Sequence, residues 1–221
     1  MEKDEIIILE DRGLISIVGE DSKVFLQNIV TNDIEKVHQN NSIFSAILSP
    51  QGKYLHEFFI IFADNGFFLD CNNKSKENLI SYLSKYKLRS KVEIKDLSSN
   101  YTVGIISAEK FKEIQSKTNE TTGTILYRDS PIFIDPRKKE LGARILFPLE
   151  KLHLTVKELG LKIIDSIIYF ELTHSFGIPE KGLTDLKEKL FGLEANFEEL
   201  NAIDFKKGCF VGQENTARMK L

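Results

Sequence analysis

Apolar and polar positions change rhythm several times along the chain. Residues 6–9 and 14–18 are short apolar runs split by Glu10-Asp11-Arg12-Gly13, the pattern of two strands and a turn. Gly19-Glu20-Asp21 breaks that pattern, and Asp21 or Ser22 is placed to cap a helix carrying Val24, Phe25 and Ile29 on one face. Ile43–Leu48 is apolar enough for a strand, ended by Ser49-Pro50-Gln51-Gly52-Lys53. Tyr54–Ala63 and residues 67–70 flank Asp64-Asn65-Gly66, a hairpin signal. Residues 75–88 carry Leu79, Ile80, Leu83 and Tyr86 at helical spacing, with Ser75 as cap.

Strands are expected next at 91–97 and Tyr101–Ile106, then a short helix capped by Ser107 with Phe111 and Ile114 inward. The polar stretch 116–122 is expected to be a loop. Strands follow at 124–128, 132–135 and 144–147, and helices at 149–159 and 166–175, the second stopped by Gly177 and Pro179. Residues 185–200 are charged and weakly helical. The elements lack a regular β-α-β-α rhythm. Two groups of antiparallel strands crossed by helices fit an α+β fold.

With 221 residues, 42% of them hydrophobic and 29% charged, the chain can bury a real core as one large domain or two small ones. A net charge of −3 gives no footprint for nucleic acid, and no apolar run reaches the length of a membrane span. Met1-Glu2-Lys3-Asp4-Glu5 is too acidic for a signal peptide. Cys71 and Cys209 make no disulfide framework and lack metal-ligand spacing, so a reducing cytoplasm is the expected setting. His38, His56, His153 and His174 are scattered and are expected to be structural or surface residues. No dinucleotide or phosphate-loop fingerprint is present.

Chemistry concentrates in Phe205-Lys206-Lys207-Gly208-Cys209-Phe210-Val211-Gly212-Gln213-Glu214. Two glycines let the backbone take positive φ and a ligand come close, and two lysines upstream favour a thiolate if the thiol faces them. Cys209 is then either an accessible thiol beside a ligand or a packed core thiol, and Cys71 is a packed bystander. Gln213 and Glu214 add an amide and a carboxylate suited to a flat heterocycle with adjacent donors and acceptors, while Glu214 is equally an exposed carboxylate at a helix start. Asp135-Pro136-Arg137 either holds a carboxylate in an arginine fork or is a turn with a solvated arginine.

Lys207-Gly208-Cys209-Phe210-Val211-Gly212-Gln213-Glu214 resembles the signature of the YgfZ group of folate-binding proteins, relatives of the T-protein (aminomethyltransferase) of the glycine cleavage system. Four further blocks resemble the same group: the run from Gly19 to Thr31-Asn32-Asp33, Leu48 to Lys53, Asp135-Pro136-Arg137 to Leu141-Gly142, and Gly177-Ile178-Pro179-Glu180. The resemblance implies a GcvT/TrmE-N-like folate-binding core: two interlocked antiparallel-sheet lobes, at about 1–97 and 98–221, around a central cleft. It implies tetrahydrofolate or a derivative as cofactor, Cys209 at the cleft as the reactive residue, and Lys53, Glu57, Asp135, Arg137, Lys207, Gly208, Gly212, Gln213 and Glu214 around the folate.

The implied role is an accessory factor in maturation or repair of iron–sulfur enzymes, with client proteins or assembly factors as partners, no metal of its own, and no nucleic acid or membrane. Two alternatives stand beside it, a folate-dependent aminomethyl- or other one-carbon transferase and an inactive folate-binding module. The T-protein has an aspartate pair where this chain reads His56-Glu57, which argues against aminomethyl transfer. The chain also has Leu172-Thr173-His174 where the group usually offers an arginine. It stops at Ala217-Arg218-Met219-Lys220-Leu221, where the group continues into a C-terminal β-barrel.

Overall fold

The structure, a computed structural model, describes residues 1–118 and 122–220. Eleven strands among them form two sheets. The first contains β1 (Glu5–Leu9), β7 (Tyr101–Ile106), β8 (Thr124–Tyr127), β9 (Ser130–Ile134), β10 (Ala143–Pro148) and β11 (Lys162–Ile164), in the order β11-β1-β7-β10-β9-β8. The second contains β2 (Arg12–Val18), β3 (Ile43–Leu48), β4 (Tyr54–Ala63), β5 (Gly66–Asn72) and β6 (Glu93–Asp96), in the order β3-β4-β5-β2-β6. All pairings are antiparallel except β1 with β11. The chain leaves β1 for the other sheet at once, which interlocks the two halves.

Strand alternation sorts the side chains into layers. Ile7, Leu9, Leu14, Phe44, Phe59, Ile61, Phe68, Val103, Phe133 and Leu146 meet in one buried cluster between the sheets. The opposite face of the second sheet, with Ile15, Ile17, Phe58, Ile60 and Leu69, packs on α1 (Ser22–Ile29) and α2 (Lys76–Lys87). The opposite face of the first sheet, with Ile6, Ile106, Ile145 and Phe147, packs on α3 (Ala108–Thr118) and α4 (Leu149–Glu158). The result is helices, sheet, sheet, helices. Two more helices, α5 (Ile167–Ser175) and α6 (Gln213–Lys220), frame the irregular stretch between them.

The α+β expectation holds, and the local expectations are corrected at several places. Val24 faces solvent and Leu26 takes its place inside, because α1 presents Phe25, Leu26 and Ile29 to the sheet. Asp21 does not cap α1; its carboxylate accepts from the Lys91 backbone N–H instead. Three residues at 162–164 form β11, too short to announce themselves by alternation. Residues 183–200 hold only two single 3-10 turns, Leu183–Leu186 and Gly192–Ala195. The loop expected at 116–122 begins inside α3, and its centre lies outside the described residues.

Candidate functional site

The face that each strand turns towards the other sheet is apolar except at a few positions, and those positions meet. Arg12 shares a face with Leu14, Asp70 with Phe68, Arg144 with Leu146, and Asp135 follows β9 in step with Phe133. Glu57, two residues before Phe59, shares that face by alternation, and Tyr54 joins it through a β-bulge. Pairing of β3 with β4 slips so that Ile47 faces His56 while Leu48 faces Tyr54, leaving Leu55 as the extra residue. A bulge re-aims side chains, and here it puts Tyr54 on the same inner face as Glu57, Phe59 and Ile61.

Asp70 accepts from Arg12 Nε at 2.7 Å and from Arg144 Nε at 2.9 Å. Asp135 holds Arg137 in a fork, Oδ1 to Nε at 3.0 Å and Oδ2 to Nη2 at 2.8 Å. Arg137 Nη1 donates to Glu180 Oε2 at 2.5 Å, and Glu180 Oε1 lies 3.6 Å from Arg12 Nη1. The Tyr169 hydroxyl accepts from both Arg137 and Arg144, at 2.8 and 3.0 Å. All three guanidiniums surround the Phe59 ring, the nearest at 4.2 Å. Three arginines thus face Asp70, Asp135 and Glu180, with Glu57 as a fourth acid. Buried charges survive only when paired in this way.

Burial alone would raise the Glu180 carboxyl, but Arg137, Arg12 and Arg144 outweigh it and hold it at about 2. Glu57 goes the other way. Burial pushes it up to about 7, offset only in part by the hydroxyl that Tyr54 donates to it and by Arg12.

The remaining space in this centre is about 10 Å³, lined by Phe44, Phe59, Phe197, Leu183 and Ile178 beside Arg12, Glu57 and Arg137. That volume suits about one water. The central cleft expected from the sequence is therefore closed, with aromatic rings and the ion network where a heterocycle was expected. Arg137 is neither a solvated turn residue nor a free fork, because its donors are taken by Asp135, Glu180 and Tyr169.

The other expected residues lie along a second seam, where the C-terminal stretch docks on the five-stranded sheet. Lys207 Nζ donates to the carbonyls of Gln27 and Val30 at the end of α1, where a helix leaves acceptors unfilled. Burial lowers its pKa to about 8. Thr31 Oγ1 donates to Ala202 O at 2.7 Å, and Asn32 Nδ2 to Asn201 O at 2.7 Å. Gly212 has φ +84°, and a Cβ there would stand 2.5 Å from Ser49 O, so the second glycine of the signature fits against the turn ending at Gly52. Asn215 Nδ2 donates to Gln51 O on the same turn at 2.9 Å.

Lys53 donates to Lys189 O and stands over the Phe191 ring. Gln213 opens α6, and Glu214 is exposed and paired with Arg218. Cys209 is exposed on the loop after Gly208, not inside the centre. Lys207 has its ammonium committed to α1.

The structure therefore gathers Glu57, Asp135 and Arg137 in the inner network. Lys207, Gly208, Cys209, Gly212, Gln213, Glu214 and, beside them, Lys53 lie along the outer seam. Asn201 links the two through its amide to Pro136 O at 3.1 Å. Sequence reasoning missed Arg12, Tyr54, Asp70, Arg144 and Tyr169, and left Glu180 without a role. The available signal was a charge at an inward-facing position of an otherwise apolar strand, plainest at Asp70 in Phe67-Phe68-Leu69-Asp70-Cys71. Among the described residues, no group of three or more acidic, histidine or cysteine side chains could hold a metal ion.

The sequence matches the GCVT N-terminal domain family over residues 9–116. It is 30% identical to the mitochondrial iron–sulfur cluster assembly factor IBA57 homolog of Dictyostelium discoideum, over 96% of this chain and 58% of that protein. It is also 30% identical to the IBA57 homolog of Mycosarcoma maydis, over 94% and 51%. The chain thus spans a little over half the length of these relatives. The crystal structure of the glycine cleavage system aminomethyltransferase T from Bartonella henselae superposes with a TM-score of 0.71 at 12% identity, over 98% of this chain and 63% of that one. These relatives are mitochondrial, which overturns the cytoplasmic expectation.

Proposed function

We propose that this chain, which has the fold of the glycine cleavage aminomethyltransferase T and resembles IBA57-type iron–sulfur assembly factors, assists the maturation or repair of iron–sulfur enzymes rather than transferring aminomethyl groups. One observation carries the choice: the inner carboxylates are already engaged. Asp70, Asp135 and Glu180 each bind arginine, and Glu57 accepts from Tyr54. An aminomethyltransferase needs a carboxylate free to face its substrate amine.

Folate binding belongs to the fold in general; tetrahydrofolate is the finer reading. Glu57 and the arginines have the right chemistry for a pterin edge, but 10 Å³ does not admit one. In the arrangement seen, the group does not fit. Tetrahydrofolate would require Leu183, Phe197 and Leu200 to withdraw from Glu57. These residues belong to the 183–200 stretch and its end, whose regular structure is two short 3-10 turns and which β4 holds through Glu188 N to Tyr54 O and Tyr54 N to Leu190 O. In this reading the inner network keeps the sheets in register, and Cys209 is the thiol presented to iron–sulfur partners.

The test is genetic and biochemical. Cells lacking the protein should lose activity of cluster-dependent enzymes while glycine cleavage persists, and the Cys209→Ala form should restore less than the Cys71→Ala form. Release of ammonia from an aminomethylated carrier by the purified protein with tetrahydrofolate would overturn the assignment. For the folate, a rise in melting temperature with tetrahydrofolate is expected, since a ligand of the native state stabilises it.

A further inference from the structure

A second concentration of charge lies beside α2, on the face of β4 that turns away from the inner network. Lys187 Nζ stands 3.1 Å from His56 Nε2. His56 is 1% exposed, and burial together with Lys187 lowers its pKa to about 3, so the ring is neutral. A neutral imidazole accepting a lysine N–H at Nε2 carries its own proton on Nδ1. That Nδ1 is buried and has no partner among the described residues. A buried donor without an acceptor is costly.

Lys187 shares the problem. Burial lowers its pKa, and Glu188, the one acid acting on it, makes no ion pair with it. A solvated surface lysine needs no counter-charge. A half-buried one held against a neutral ring has lost water without gaining an anion. Lys187 lines a groove of about 670 Å³ together with Lys53, Lys85, Ser81, Tyr82 and Glu188. The lining carries three lysines against one carboxylate, Glu188; the Lys53 ammonium is held by Lys189 O and the Phe191 ring, which leaves Lys85 and Lys187, and the volume falls in the range of small-molecule sites.

We propose that this groove is an anion site for a small ligand with more than one negative charge, borne on carboxylate or phosphate, anchored by Lys187 and Lys85. Lys187 supplies the desolvated cation, and Lys85, free on the exposed side of α2, closes on the ligand from the rim. The inference is independent of folate binding in the centre, since it uses the opposite face of β4.

Titration of the whole protein with citrate and with tripolyphosphate, followed by calorimetry and by the His56 ring signals in NMR, tests this. Saturable binding of either ion is expected, with a shift of the His56 signals, and the tighter of the two tells carboxylate from phosphate. Lys187→Gln and Lys85→Gln should each weaken binding roughly tenfold, the scale of one charge-assisted contact. Lys151→Gln, which touches Asp129 elsewhere, should leave binding unchanged. No saturation by either ion up to about 10 mM, well beyond useful affinity, would overturn the proposal. So would binding that survives both substitutions at Lys187 and Lys85 with the fold intact by circular dichroism.

Discussion

Arg144 of β10 donates to Asp70 of β5 at 2.9 Å, and this pair ties one sheet to the other inside the core. Arg144 Nη2 also lies 2.8 Å from Asp70 Oδ2 without hydrogen-bond alignment, so the contact is ionic as well as directional. Both side chains are fully buried.

Removing Arg144 takes one of two arginines from the buried Asp70 carboxylate, leaves Arg12 as its remaining partner, and removes a donor from the Tyr169 hydroxyl. Arg144→Ala is expected to lower unfolding stability by about 3–5 kcal/mol, the scale for breaking a buried pair. Urea denaturation followed by circular dichroism measures it. A loss under about 1 kcal/mol, the scale of a surface pair, would show that the sheets do not depend on this contact.

Glu57 gives a pH signature. Its folded pKa of about 7 is above the ordinary carboxylate value, so the folded state binds the extra proton between about 4.5 and 7. Stability from this group is full at lower pH and is lost as pH rises through 7. His56 acts oppositely. Its folded value of about 3 makes stability rise with pH up to its ordinary value near 6.5, so the two effects overlap. The difference between Glu57→Gln and wild type isolates Glu57. It should grow in favour of Glu57→Gln by on the order of 1–2 kcal/mol from pH 5 to 8, reduced from the full shift because the residue keeps some solvent contact. A difference that stays flat with pH means the carboxyl titrates normally.

What was legible in the sequence follows from what each element needs locally. The Asp64-Asn65-Gly66 hairpin was readable because Asp64 and Asn65 both take positive φ, at 51° and 57°, which that turn demands. The Ser107 cap was readable for the same reason, its hydroxyl accepting from Lys110 N. The inner network was not. Arg12, Asp70 and Arg144 are far apart in the chain, and even Asp70, an acid inside an apolar strand, names no partner until the sheets face each other. The bulge at Leu55 hid Tyr54, because simple alternation from Glu57 puts it on the wrong face. The signature is legible in the sequence, but Gly212 makes room for the turn at Ser49 rather than for a ligand.

Gly212 and Gly208 should therefore respond differently to a methyl group. At Gly212 a Cβ meets Ser49 O at 2.5 Å and Leu48 Cβ at 3.0 Å; at Gly208, with φ +98°, nothing lies within 4 Å. Gly208→Ala should cost about 1 kcal/mol from backbone strain alone. Gly212→Ala should cost about 2–3 kcal/mol or more and increase amide exchange in α6, because overpacking adds to strain. Equal losses at the two sites would mean that the clash at Gly212 relaxes without moving α6.

Burial sets Cys71 apart from Cys209 in access and raises its own thiol. Cys71 is 1% exposed on β5, and burial pushes its thiol up to about 12, only partly offset by Arg12. Cys209 is exposed on its loop. Thiolate is the species that alkylates, so Cys71 is disfavoured twice over, by access and by charge. Competitive labelling of the native protein with iodoacetamide at neutral pH, read by mass spectrometry, should modify Cys209 at least about a hundredfold faster, since each pKa unit is a factor of ten in thiolate. Urea should erase the difference, because the unfolded chain gives both thiols the same surroundings. Lys207→Met should leave the native Cys209 rate within about twofold, because that ammonium already serves the carbonyls of Gln27 and Val30 rather than the thiol. A tenfold drop in that variant would place Lys207 beside a reactive thiolate and return the signature lysine to the chemistry of Cys209.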